Sequence, residues 1–153
     1  MTIASDTRAV DVRGLRIDLV KTGEDIVDQI ALQVRAGEVL GLVGESGSGK
    51  TTVGMALMGY CRPGGRVTGG EILIDGRLLA AMTANQLRRL RGGTVSYIPQ
   101  DPGTALNPAL RIGRQLSEML AAHAAGMRSA ARIAREREAL EEVALPNDEA
   151  FLR

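Results

Sequence analysis

The chain has 153 residues, of which 44% are hydrophobic and 24% are charged, and its formal net charge is +1 at pH 7. This length suffices for about one domain with a real core, and the near-neutral balance gives no reason to expect a nucleic-acid partner. The single cysteine, Cys61, excludes an internal disulfide framework and favours a reducing compartment. We recognise neither a secretory signal nor a transmembrane span, so we expect any membrane association to go through a partner protein.

The first part of the chain predicts a flexible leader over residues 1–9, followed by two strands. Apolar and polar residues alternate within 10–20 and again over 30–34, which indicates strands with one wet face. Turn-forming residues at 21–25 separate the two segments. We therefore expect these strands to pair in antiparallel fashion.

A glycine-rich segment in the middle of the chain carries the strongest signal. An apolar run at 39–43 predicts a strand buried on both faces. Residues 44–51, GESGSGKT, then match the pattern G-x-x-x-x-G-K-[ST] at each fixed position. Residues 52–60 predict a short buried helix. Strand, glycine-rich turn and helix in this order are typical of a phosphate-binding loop, whereas a plain turn would not require the lysine.

The residue types in this loop suit a nucleotide. Backbone N–H groups at a helix start bind phosphate oxygens, and glycines let the backbone approach closely. Lys50 would supply positive charge to the β- and γ-phosphates, and the Thr51 hydroxyl would ligate Mg²⁺. A dinucleotide fingerprint fits worse, because its third glycine is replaced by Thr52. The predicted nucleotide-binding residues are Gly44, Glu45, Ser46, Gly47, Ser48, Gly49, Lys50, Thr51 and Thr52.

The remaining patterns predict two further strands, three helices, one long loop and the start of a fourth helix. We expect strands at 70–76 and 95–98, a capping box at 83–86, helices at 112–120 and 129–143, a loop over 100–108 and a new helix start after Pro146. The only histidine, His123, falls on the polar face of a predicted helix. We expect neither His123 nor Cys61 to be catalytic.

Taken together, these residues resemble the ATP-binding subunits of ABC transporters, in the branch that imports oligopeptides, dipeptides and nickel. Two stretches carry the resemblance: GLVGESGSGKTT at 41–52 and YIPQDPGTALNPALRIGRQLSEML at 97–120. The resemblance implies an α/β fold of the P-loop NTPase type with an N-terminal antiparallel β-subdomain. Residues 10–109 would hold that subdomain, the phosphate loop and a glutamine loop, and 110–153 would begin a helical subdomain.

The resemblance also implies ligands and partners. ATP and Mg²⁺ would bind, and Gln100 would contact both Mg²⁺ and the attacking water. The loop around Gln100 would dock on a membrane permease. A second ATPase subunit, identical or different, and indirectly an extracytoplasmic solute-binding protein would complete the assembly, with this chain peripheral on the cytoplasmic face of the membrane.

Several features of the family are absent from these 153 residues. There is no LSGGQ signature, no apolar run ending in Asp-Glu and no switch histidine, and no aromatic residue before Tyr60 that could stack on adenine. We interpret the chain as the N-terminal part of a longer subunit, whose phosphate-loop strand lacks its usual neighbour. We expect this part alone to hold a nucleotide without turnover. A non-transporting nucleotide-binding remnant and an unrelated phosphate-loop kinase are the alternative interpretations.

Overall fold

The computed structural model describes residues 8–101, 103, 105–124 and 126–152, and it divides the chain into two compact units after Ser96. The strands are β1 Arg8–Leu19, β2 Asp25–Arg35, β3 Gly65–Ile74 and β4 Arg77–Leu78. The helices are α1 Lys50–Ala56, α2 Ala84–Gly93, α3 Ile112–His123, α4 Ser129–Glu142 and α5 Glu149–Leu152, with a short 3-10 helix at Leu79–Ala81.

The first unit is built on an antiparallel sheet with the strand order β2-β1-β3-β4. The two strands predicted first are confirmed as β1 and β2, and both are longer than expected. The pairing of β1 shifts register between Val12 and Leu15, around Gly14 with φ 55°. This bulge turns Val12, Leu15 and Ile17 to the same buried side, where they are the largest fully buried side chains.

Two predicted segments have different boundaries in the structure. Of the predicted leader, residues 1–7 lie outside the described residues, and the prediction was wrong for Arg8 and Ala9, which begin β1. The strand predicted at 70–76 already begins at Gly65. Its closing turn is confirmed: Asp75 and Gly76 have φ of 47° and 72°, the two positive values that a tight two-residue hairpin requires.

Two predicted strands are wrong. Residues 39–43 have no regular secondary structure, and Val39 and Val43 are 95% and 97% exposed. The segment 95–98 forms only a single bridge, between Arg91 and Val95, and Ile98 is 87% exposed. A strand needs a neighbour to accept its backbone hydrogen bonds, and no described strand pairs with either segment. An apolar sequence pattern indicates that a segment can be buried, but it does not indicate whether a neighbouring strand is present to pair with it.

In the first unit, α1 differs from its predicted bounds, whereas α2 starts at its predicted capping box. Helix α1 begins and ends earlier than the predicted 52–60, because its start is set by Gly49 in the left-handed conformation. The capping box of α2 is confirmed. The Thr83 side-chain oxygen accepts a 3.3 Å bond from the Gln86 N–H, and Gln86 Oε1 accepts a 2.7 Å bond from the Thr83 N–H.

The second unit contains the three remaining helices. The predicted helices 112–120 and 129–143 are confirmed as α3 and α4, and α3 contacts both α4 and α5. Asp148 precedes α5 and accepts a 2.9 Å bond from the Phe151 N–H, which confirms the predicted helix start. Among the described residues, no helix combines the length and apolarity needed to cross a membrane.

Candidate functional site

The glycine-rich loop lies between the antiparallel sheet and α1. Val53 and Ala56 of α1 are buried together with side chains of β1, β2, β3 and α2. These core residues are Val12, Leu15, Ile17, Val27, Val53, Ala56, Ile72, Ile74, Leu79 and Leu90. Helix α1 is therefore held on the sheet by its apolar side, and its first turn carries Lys50 and Thr51.

Gly49 joins the loop to α1 at a position that only glycine suits. It is buried, its φ is +84°, and a Cβ built on it would lie 2.8 Å from the carbonyl oxygen of Ile26 and 3.1 Å from Val27 Cγ2. Both neighbours belong to the start of β2. The end of the loop thus packs directly on the backbone of the sheet, which fixes where α1 begins.

The Lys50 ammonium lies inside the loop. It donates hydrogen bonds to the Gly44 carbonyl at 2.7 Å, to the Glu45 carbonyl, and to Ser48 Oγ at 3.2 Å. All three acceptors are neutral, and no carboxylate forms a salt bridge with Lys50 in the described part of the chain. The loop is therefore preformed around a cation whose charge is available to an anion.

Most of the predicted loop residues are exposed. Glu45, Ser46, Gly47 and Ser48 are exposed, and Gly47 has φ +86°. Thr51 is exposed and Thr52 half-buried in the first turn of α1. The nine predicted residues thus run from an irregular segment at 44–49 into the first turn of α1, and the Ser46, Ser48 and Thr51 hydroxyls belong to exposed residues.

The donor atoms of the loop are compatible with a divalent cation that arrives with phosphate. No cluster of three or more His, Cys, Asp or Glu side chains among the described residues could hold a metal by itself. The exposed Thr51 hydroxyl is an oxygen donor of the kind that Mg²⁺ accepts, and Mg²⁺ is commonly completed by substrate phosphates and water. These residues fit Mg²⁺ bound together with a nucleotide.

Gln100 belongs to the second unit and is exposed at a bend. The predicted loop 100–108 has no helix or strand in its described residues, while Pro102 and Thr104 lie outside them. Sequence patterns missed the role of Gln115 on α3. Its Oε1 accepts a 2.9 Å bond from the Asn107 N–H, and its Nε2 donates to the carbonyls of Asn107 and Leu110. One side chain thus holds the end of the loop on α3.

That neither Cys61 nor His123 is catalytic stays a prediction, and the structure describes the surroundings of Cys61. Cys61 is half-buried, and this burial raises the pKa of its thiol, so less of the reactive thiolate forms at neutral pH. Cavities of about 480 and about 450 Å³ lie beside α2, and Cys61 lines the second. None of the phosphate-loop residues lines either cavity.

Comparison with known proteins identifies the family. A family profile described as ABC transporter matches residues 27–151. A dipeptide transport ATP-binding protein of Lactococcus lactis is 31% identical over 97% of this chain and 43% of its own length. A putative peptide import ATP-binding protein of Brucella ovis is 40% identical over 94% of this chain and 44% of its own length. An oligopeptide transport ATP-binding protein of Escherichia coli is 41% identical over 74% of this chain and 34% of its own.

Solved structures show the same fold. An ATP-binding subunit of an ABC transporter superposes with a TM-score of 0.63 at 25% identity, covering 90% of this chain and 51% of that chain. A dimeric ATP-binding cassette bound to ADP and Pi superposes with a TM-score of 0.69 at 22% identity, covering 94% of this chain and 60% of that chain. The expected α/β P-loop fold of the ABC ATPase type is therefore confirmed. The chain spans less than half the length of the curated relatives it matches.

Proposed function

This chain belongs to the ABC transporter family, and from that premise we propose that it forms the phosphate-binding part of the ATP-binding subunit of a peptide importer. The observation that carries the proposal is the loop 44–52, preformed around the uncompensated Lys50 ammonium. The relatives whose names refer to dipeptide, oligopeptide and peptide transport support the importer branch.

The loop residues have distinct roles in this proposal. Lys50 and the N–H groups of 44–49 bind and orient the β- and γ-phosphates of ATP. Thr51 would hold Mg²⁺, which when bound neutralises charge on the phosphates. The family resemblance assigns Gln100 a further Mg²⁺ contact in the assembled subunit. Gln100 also orients the attacking water. Because no aromatic residue precedes Tyr60, affinity rests mainly on the phosphates and little on the base.

The transport cycle is proposed for the whole subunit. The loop around Gln100 docks on a membrane permease, a second ATPase subunit pairs with this one, and the assembly lies on the cytoplasmic face of the membrane. In that arrangement, ATP binding and hydrolysis drive movement of a peptide or related small solute that a solute-binding protein delivers. The chain by itself contributes nucleotide binding, with no turnover expected.

Calorimetric titration of the chain with ATP and Mg²⁺ tests the proposal. Lys50→Ala removes the cation and a charge-assisted hydrogen bond worth about 1.5–3 kcal/mol, so we expect the Kd to rise roughly 10- to 100-fold. Lys21→Ala is the matched control, because Lys21 is the other lysine and lies exposed in the turn between β1 and β2. Equal affinity of wild type and Lys50→Ala, or no binding by wild type, would refute the proposal.

A further inference from the structure

The end of α2 holds the end of α1 through one side chain. Arg91 Nε donates a 2.8 Å hydrogen bond to the Met58 carbonyl, and its Nη2 donates a 2.8 Å bond to the Gly59 carbonyl. Both acceptors lie in the turn that follows α1, just beyond its C-cap Leu57. A cation at this end also suits the direction of the helix dipole.

The backbone around Arg91 is shaped to make this contact. Helix geometry breaks at Arg91, with ψ 120°, and at Gly92, with φ 80°. The Gly92 N–H then donates to the Val95 carbonyl, and the Val95 N–H donates to Leu90, whose side chain is buried. Arg91 is therefore placed by the kink and by a buried neighbour, unlike a solvated arginine on a helix face.

Gly59 brings the two helices into close contact. Its φ is +64°, and a Cβ built on it would lie 2.8 Å from Leu87 Cδ2. Leu87 is one residue of the face that α2 turns toward the core. The turn after α1 thus packs on α2 by apolar contact and is fixed by Arg91 through polar contact.

Helix α1 depends on such contacts for its position. It has only seven residues, and isolated helices shorter than about 12–15 residues are marginal in water. Gly49 fixes its beginning against the Ile26 carbonyl, and Arg91 fixes the turn that follows its end. A shift at the Arg91 end would therefore tilt the first turn, which carries Lys50 and Thr51.

We propose that Arg91 is a positioning residue for phosphate binding, which acts by holding α1 from its far end so that Lys50 and Thr51 stay in register with the loop. The inference rests on the proposed function for the identity of the ligand. A purely structural role would differ in one respect: loss of Arg91 would lower stability without changing affinity.

The test compares variants of the full chain by ATP titration in the presence of Mg²⁺ and by thermal melting. We expect Arg91→Gln to raise the Kd about three- to tenfold, and Arg91→Lys, which can keep one of the two bonds, to raise it less. Arg88→Gln is the matched control, since Arg88 is exposed on the same helix and its side chain bonds to Asn85. Its Kd should remain that of wild type.

A second control separates affinity from stability. Ile74→Val trims a buried β3 side chain away from the contact and should lower the melting temperature without changing the Kd. If Arg91→Gln lowers the melting temperature while its Kd stays within about twofold of wild type, the proposal is overturned. If Arg91→Gln does not fold, Arg91→Lys decides by the same criterion.

Amide hydrogen exchange gives a readout that does not need nucleotide. The Val53 N–H donates a 2.9 Å bond to the Gly49 carbonyl at the phosphate end of α1. Arg91→Gln should speed exchange of this amide, whereas Ile74→Val and Arg88→Gln should not. Absence of ATP binding by wild type would count against the proposed function. Unchanged exchange at Val53 in Arg91→Gln would instead overturn the positioning role.

Discussion

The carbonyl oxygen of Ile26 lies 2.8 Å from the point where a Cβ on Gly49 would stand. Ile26 is the second residue of β2 and Gly49 directly precedes α1, so the loop and the sheet meet backbone to backbone. The position of the loop is thus set by the antiparallel sheet as well as by the helix that follows it. Substitution at Gly49 should disturb both.

A matched pair of glycines tests this contact. Gly49 and Gly47 have nearly the same φ, +84° and +86°, but no atom lies within 4 Å of a Cβ built on Gly47. Gly47→Ala should cost about 1–2 kcal/mol from left-handed backbone strain alone. Gly49→Ala adds a clash with backbone and should cost about 2–4 kcal/mol. Urea unfolding of the two variants measures the difference, and equal losses would contradict a rigid contact.

The pH dependence of stability should depend on Asp11 in β1. Its side chain is almost fully buried and accepts bonds from Arg13 at 2.7 and 3.1 Å, from Gln33 at 3.2 Å and from Arg8 at 3.3 Å. The Arg13 hydrogen bond is the largest cause that holds the pKa of Asp11 below its usual value, and Gln33 and Arg8 lower it further, against the opposing effect of burial.

The lowered pKa of Asp11 determines the direction in which stability changes with pH. The carboxylate binds its proton less readily in the folded state, so its stabilisation is complete above the unfolded pKa and is lost as the pH falls through the folded pKa. Asp11→Asn should lower the melting temperature at neutral pH and flatten its decline in acid. The exposed Glu118, paired with Arg114 at 2.9 Å, provides the control Glu118→Gln, which should leave the curve nearly unchanged. If the melting temperatures of wild type and Asp11→Asn fall in parallel as the pH is lowered, Asp11 does not control the acid sensitivity of the fold.

The exposed apolar segment 39–43 should make the isolated chain associate. Val39 and Val43 are 95% and 97% exposed, and Leu40 and Leu42 are also exposed. Contiguous apolar surface of this kind favours association. The double change Val39→Ser and Val43→Ser should reduce the concentration-dependent rise in mass seen by sedimentation velocity.

Val20→Ser provides a control for this prediction. Val20 is 56% exposed beside the turn between β1 and β2 and lies away from the segment in the chain. A scattered surface valine is ordinary and should not drive association. A wild-type chain that sediments as a monomer at every concentration would refute the prediction.

Short-range sequence patterns correctly predicted the elements whose hydrogen bonds join residues only a few positions apart. The Thr83–Gln86 capping box and the Asp75–Gly76 turn are formed by neighbours in sequence, and so they could be predicted. The same holds for Lys50, whose hydrogen bonds to Gly44, Glu45 and Ser48 stay inside the loop. Helices α3 and α4 followed from their apolar spacing, because a helix bonds to itself.

Only the tertiary structure decided the features that depend on a partner distant in sequence. Whether 39–43 pairs as a strand depends on a neighbouring strand, and a hydrophobic run cannot report one. The bonds from Arg91 to Met58 and Gly59, like the contact of Gly49 with Ile26, join segments that meet only when the sheet and helices pack. The sequence alone therefore determined the residue types of the loop that we propose to bind phosphate, and packing decided how that loop is held in place.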